Sequence, residues 1–301
     1  MKNNKKTLIL VRQQDNLMEK VLKYNFKDAD FKMIPESYTP FDREDLAKEV
    51  NNNYETLILF GYYDQFNELI SLISKKVKRK WIVDYSVAAL SISYIYQNFV
   101  QLLEYQERGL VDTIASLQYS LYITFKDRMK YLVLDYNEKT NVKKEDRVGI
   151  LNLDWDIMAN FYNEISGVAQ SKIKKARILN AIDATKAFST DFNVEIEVEK
   201  DLEKLIYGNK VNLDIKFSDI QTIPFLMSMD AGIPCIIGNS DILDNSELYD
   251  YLIVKSDDDV EEIKDKINNS IDNVDKIMKI YKKWRIDYQN KSKKTIEEFM
   301  K

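Results

Sequence analysis

Short apolar runs alternate with stretches of helical periodicity along the whole chain, and no other feature restricts the fold as much. Residues 7–11 read Thr-Leu-Ile-Leu-Val, and residues 56–60 read Thr-Leu-Ile-Leu-Phe, closed by Gly61. A run apolar at every position marks a strand buried on both faces, as in a parallel sheet covered by helices. Residues 16–24 space Leu17, Met18, Val21 and Leu22 along one helical face. Residues 42–50 form a short helix with Asp42 as its N-cap. The same reading places strands at 31–34, 81–85 and 120–124 and helices at 66–73 and 92–108, the last stopped by Gly109. A β-α-β rhythm of this kind demands a parallel sheet with helices on both faces.

The pattern breaks at 137–147, a polar stretch with Val142 as its one apolar residue, and then restarts. Strands are expected at 148–151, 176–179, 194–198, 211–217, 235–237 and 251–254, and helices at 157–170, 202–207, 225–229, 260–271 and 274–299. Asp257, Asp258 and Asp259 stand where they favour the start of the 260–271 helix electrostatically. They lack the glycine and terminal Glu of a calcium loop. The expected organisation is an α/β chain of two domains, residues 1–140 and 148–275, with a terminal helix at 276–301.

Composition removes whole classes of chemistry. The 301 residues include no His and one Cys, Cys235. That leaves no Ser-His-Asp triad, no His-ligated zinc or haem and no internal disulfide, so no metal is expected. With 44 Lys plus Arg against 49 Asp plus Glu, the net charge is −5 and the charges are interspersed. A nucleic-acid partner, which favours a basic balance, is not expected. No apolar run reaches the length of a membrane span, so a cytoplasmic protein is expected, with membrane contact at most peripheral. The run Lys75–Lys80 is read as a solvated helix end rather than a lipid-binding patch, and Tyr94, Tyr96 and Tyr105 as packing residues. Asp84 and Tyr85, at the end of an expected strand, could meet a ligand.

Two of the four prolines and two of the seven glycines fall between Ser218 and Gly238. A buried strand ending at Phe217 leads into a polar loop, 218–222. Pro224 suits a helix start, Gly232 closes that helix, and Pro234 forbids its continuation. The loop therefore sits at a helix N-terminus, where free amides and the helix dipole favour phosphate.

This segment resembles the C-terminal signature of GT-B glycosyltransferases of the retaining family 4 type, in Phe217-Ser218 and Ala231-Gly232-Ile233-Pro234. The later 249–254 and 257–264 segments and the long terminal helix follow that family's order. The resemblance covers about residues 148–300 and is only architectural before 137. It implies two Rossmann-like domains facing a cleft, with the last helix crossing back onto the first domain through residues such as Trp284 and Tyr288. It implies transfer of a sugar, of hexosyltransferase type, from a nucleotide sugar to a glycan, lipid-linked or protein acceptor. No bound metal or cofactor is required.

The resemblance assigns Asp219 to the donor sugar and Met227 to the position of a second carboxylate that holds the ribose. Amides of Ile220, Gln221, Thr222 and Ile223, beside Ser218, would face the diphosphate. Lys216, Arg12 or Lys172 would supply its positive charge, since no Lys or Arg lies between Gly149 and Lys172. Each residue also has a structural alternative. Asp219 could cap the helix, Lys216 could be solvated, and Arg12 could form a surface ion pair. The family's His and glycine-rich first loop are absent: Arg12-Gln13-Gln14-Asp15 follows Val11. These departures favour the alternative of a catalytically silent relative that acts as a binding or chaperone subunit for a partner glycosyltransferase. A nucleotide-sugar epimerase on the same fold fits less well, because it would rely on His.

Overall fold

The computed structural model describes residues 6–12, 16–35, 42–85, 88–137, 143–151, 161–179, 192–215, 222–238, 240–256 and 259–301. The chain divides into two compact units, one of residues 1–135 with 290–301, the other of residues 136–289.

The first unit is built on six parallel strands: β1 (Thr7–Arg12), β2 (Ala29–Ile34), β3 (Thr56–Phe60), β4 (Lys78–Val83), β5 (Thr113–Ser116) and β6 (Met129–Tyr131). Their order is β2-β1-β3-β4-β5-β6. Helices α1 (Asn16–Asn25), α2 (Arg43–Asn53), α3 (Asp64–Leu72), α4 (Ser93–Glu107) and α5 (Tyr119–Thr124) connect them. β3, apolar from Leu57 to Phe60, is buried along its full length, as a central parallel strand requires. Asp42 caps α2 by accepting from the Asp45 N–H at 2.9 Å. Gly109 takes φ +66° just past α4, a conformation that costs glycine little.

Residues 120–124 are not a strand. They lie in α5, with Leu121 buried and Ile123 exposed, and the sheet is continued instead by β5 and β6. Strand preference in Tyr, Ile and Thr reflects fit to a half-buried pleat. Here only Leu121 has a core to meet, while Tyr119 and Tyr122 pack on Tyr131, ring centroids 5.3 and 5.5 Å away. Tyr94 and Tyr96 do not serve the core either: Tyr94 is 64 % exposed and Tyr96 is also exposed, and of the three only Tyr105 is buried.

The run Lys75–Lys80 is not a helix end. Its second half opens β4, where Arg79 and Lys80 are buried. Arg79 makes a forked pair with Asp112, through Nε at 3.2 Å and Nη2 at 3.1 Å. Lys80, 2 % exposed, donates to the carbonyl of Phe299. Lys130 donates to the Glu298 carbonyl at 2.5 Å, and Lys78 to that of Lys301 at 2.8 Å. Three ammonium groups thus meet the carbonyl end of the terminal helix, where the helix dipole favours positive charge.

Burial, and then the neighbouring Lys130 and Lys78, pull the Lys80 ammonium from its usual 10.5 down to about 8. Between those two values the unfolded chain holds a proton that the folded chain has released. Stability therefore rises with pH through this window, and Lys80 contributes no slope below it. Chemical denaturation of the wild type and Lys80→Met, compared from pH 7 to 10.5, is expected to show the wild type gaining relative to the variant as pH rises. A constant difference would contradict this.

The second unit holds five parallel strands: β7 (Val148–Ile150), β8 (Lys175–Leu179), β9 (Glu195–Glu199), β10 (Val211–Asp214) and β11 (Cys235–Ile237), in the order β11-β10-β7-β8-β9. Its helices are α6 (Phe161–Gln170), α7 (Leu202–Ile206), α8 (Thr222–Asp230), α9 (Tyr249–Leu252) and α10 (Val260–Asp272). Asp259 caps α10 by accepting from the Glu262 N–H at 3.0 Å. The strand expected at 251–254 is replaced by α9 and a single bridge from Ile253 to Ile237. Leu248 and Leu252, four residues apart, are both buried, which is a helical spacing.

The terminal helix α11 (Val274–Met300) contributes residues 274–289 to the second unit and its remainder to the first. In the second unit Trp284 meets Phe225 of α8 at 5.9 Å and stacks on Tyr288 at 5.0 Å. In the first, Ser292 donates to the Val133 carbonyl at 2.8 Å, and Thr295 accepts from the Val133 N–H at 3.0 Å. No described helix is long and apolar enough to cross a membrane.

Candidate functional site

In the second sheet the chain leaves β7 toward β8 and leaves β10 toward β11, so the order reverses between β7 and β10. Outside the carboxyl ends of the strands, such a reversal opens the crevice in which open α/β sheets hold ligands. The segment after β10 leads directly into α8 at this edge.

The corner that places α8 is held by a buried polar network. Asn212 of β10 donates to the Ser228 hydroxyl at 2.8 Å, and that hydroxyl donates to the Ile233 carbonyl at 2.8 Å. Asn212 also donates to the Ile206 carbonyl, and its own carbonyl accepts from Asn209 at 2.8 Å. Gly232 adopts φ +73°. Its N–H reaches the Met229 carbonyl at 2.9 Å, and the Ile233 N–H reaches the Ser228 carbonyl at 2.9 Å. This paired arrangement ends a helix through a left-handed glycine. Pro224 is the third residue of α8 rather than its first.

Lys216, Ser218, Asp219, Ile220 and Gln221 lie outside the described residues. Of the others, Thr222 opens α8 half-exposed, and Ile223 is buried one residue on. Met227 is 1 % exposed, so its thioether offers almost no surface to a ligand. Arg12 ends β1 in the first unit, half-buried, its guanidinium 5.4 Å above the Tyr63 ring. Lys172 pairs with Asp272 in the turn before β8. That turn lies at the amino edge of the sheet, opposite the reversal. Asp84 follows β4 exposed, and burial pushes the neighbouring Tyr85 hydroxyl well above the usual tyrosine range.

Two carboxylates at the reversal were not anticipated from the sequence. Asp214 ends β10, and Glu164 lies in α6; both are buried. A Glu164 oxygen accepts the Ile215 N–H at 3.1 Å, which fixes the end of β10. The signal lay in α6 itself. Phe161, Ile165 and Val168 form its apolar stripe, and Glu164 sits on that stripe. Among the described residues no group of three or more His, Cys, Asp or Glu could hold a metal ion.

No family model matches the chain, and no curated protein matches it. Solved structures do. Sucrose-phosphate synthase from Thermosynechococcus elongatus aligns over 95 % of this chain and 94 % of its own, with a TM-score of 0.63 and 12 % identity. TarM aligns over 86 % of this chain with a TM-score of 0.62 and 12 % identity, and this chain spans 57 % of TarM. The pneumococcal O-GlcNAc transferase GtfA, solved with UDP and GlcNAc, gives a TM-score of 0.57 at 13 % identity, over 85 % of this chain and 59 % of its own. With two parallel α/β sheets and neighbours of this kind, the chain has the fold of the GT-B glycosyltransferases.

Proposed function

We propose that the protein transfers a sugar from a nucleotide-sugar donor held in the second unit to a glycan, lipid-linked or protein acceptor. One observation carries this reading: α8 begins at the reversal between β7 and β10, after the 216–221 segment. Helix-start amides favour the diphosphate there by about 0.3–1 kcal/mol, and by more when partly buried. Supporting it, GtfA shares the fold and was solved with UDP.

In this reading the amides of residues 220–223 face the diphosphate, beside Ser218, and Asp219 orients the donor sugar. Lys216 supplies the positive charge that offsets the diphosphate. No step is assigned to a metal or cofactor. The enzyme's task is to position the donor and stabilise the leaving group, which preorganised donors achieve without a strong base.

Calorimetry on Asp219→Ala tests the site. The variant is expected to lose about tenfold or more in affinity for the nucleotide sugar and little for the bare nucleotide, since only the sugar meets the carboxylate. Equal losses for both would make Asp219 a helix cap. A second reading, a silent subunit beside a partner glycosyltransferase, is favoured by Met227. The resemblance gives position 227 to a ribose-binding carboxylate, and a buried thioether there offers no strong acceptor.

A further inference from the structure

The first unit has its own reversal, between β1 and β3, since β1 leads toward β2 and β3 toward β4. Arg12 ends β1 at that point. The register pairs Leu10 with Leu59, so two residues on Arg12 stands level with Gly61. Gly61 turns the chain at φ +72°, with its carbonyl held by the Trp81 indole N–H at 2.7 Å. A Cβ there would lie 3.1 Å from the Tyr63 hydroxyl, so the Tyr63 ring folds back over the turn, with the Arg12 guanidinium above it.

Tyr63 is the N-cap residue of α3 and gives the first turn no side-chain acceptor. The Arg12 Nε is buried and has no acceptor among the described residues. Gln65, the second residue of α3, is 5 % exposed, and its Nε2 also has none. Gln65 shares the buried stripe of α3 with Leu69, and helical side chains lean toward the helix N-terminus. Its amide is thereby carried to the same edge as Arg12. The unmet groups are donors, set at a helix start, and such an array favours an oxyanion.

We propose that Arg12, Gln65 and the first turn of α3 form an oxyanion site. Resting on the transferase reading above, its ligand is the phosphate or carboxylate of the acceptor. Arg12 then serves the acceptor side rather than the donor diphosphate. The donor-site reading does not use Gln65.

The test is an NMR titration of the full chain with inorganic phosphate, following the Gln65 side-chain amide and the Arg12 Nε–H. Both are expected to shift saturably, and Arg12→Gln and Gln65→Leu are each expected to weaken binding about tenfold. If neither signal shifts in the folded protein, or if both variants bind phosphate as the wild type does, the proposal is overturned. Competition by phenyl phosphate alone would identify a soluble acceptor. Competition by phosphatidic acid vesicles, lost in Arg12→Gln, would identify a lipid. Gln65→Leu is expected to leave nucleotide-induced thermal stabilisation unchanged. Phosphate binding without any nucleotide response would overturn the transferase reading and leave the oxyanion site standing.

Discussion

Gly149→Ala is expected to destabilise the second unit by about 3 kcal/mol, summing an overpacking cost with the loss of a buried hydrogen bond. A methyl on Gly149 would stand 2.2 Å from the Asn212 carbonyl oxygen and 2.3 Å from the Asn209 amide nitrogen. Those two atoms bond each other at 2.8 Å, both residues are fully buried, and the same network holds the corner that places α8. The methyl and the Asn209–Asn212 bond cannot occupy the same space. Urea unfolding of the second unit measures the loss. Asn212→Ala removes one clashing side chain, so in a double-mutant cycle the two losses should couple by more than about 0.5 kcal/mol. Additive losses would mean that the backbone moves aside instead.

Asp230→Ala is expected to cost about 3–5 kcal/mol, because it strands a buried charge. Arg285 is 6 % exposed, with Nε 3.2 Å and Nη2 3.2 Å from the Asp230 carboxylate. Its Nη2 also donates to the Tyr136 carbonyl at 3.0 Å, and Tyr281 donates to the same carboxylate at 2.8 Å. This cluster fastens the first half of α11 to the end of α8. Replacing both partners, as Asp230→Leu with Arg285→Met, should recover most of the loss, since an apolar pair carries no desolvation cost. Unfolding by urea separates the cases. A loss below about 1 kcal/mol for Asp230→Ala would mean that water reaches Arg285.

The parts of the fold that were legible in sequence are those fixed by local pattern. The continuous apolar run of β3, the caps Asp42 and Asp259, and the Gly232–Pro234 corner each carry their physics within a few residues. The β5 and β6 strands, of four and three residues, are too short to carry a period, and their place is set by the neighbours that pair with them. The lysines that meet the end of α11 were not legible either. Lys80 finds the Phe299 carbonyl across 219 residues of chain, and sequence shows only a basic run. Glu164 was legible in principle, as a carboxylate on an apolar stripe, but its partner at Ile215 is a tertiary contact. The loop chemistry around Asp219 rests on resemblance and on helix-start physics.

A thermal-shift panel of UDP-, GDP- and dTDP-sugars reads out binding of a nucleotide sugar at the start of α8. A ligand that binds only the folded state raises the melting temperature by mass action, with stabilisation of about 2.7 kcal/mol at 100 times its Kd. At least one of the three donors is expected to raise the melting temperature in a concentration-dependent way, and Asp219→Ala is expected to reduce this rise more for the sugar than for the bare nucleotide. No rise with any donor, in a protein that still unfolds cooperatively, would contradict donor binding and leave the silent-subunit reading in its place.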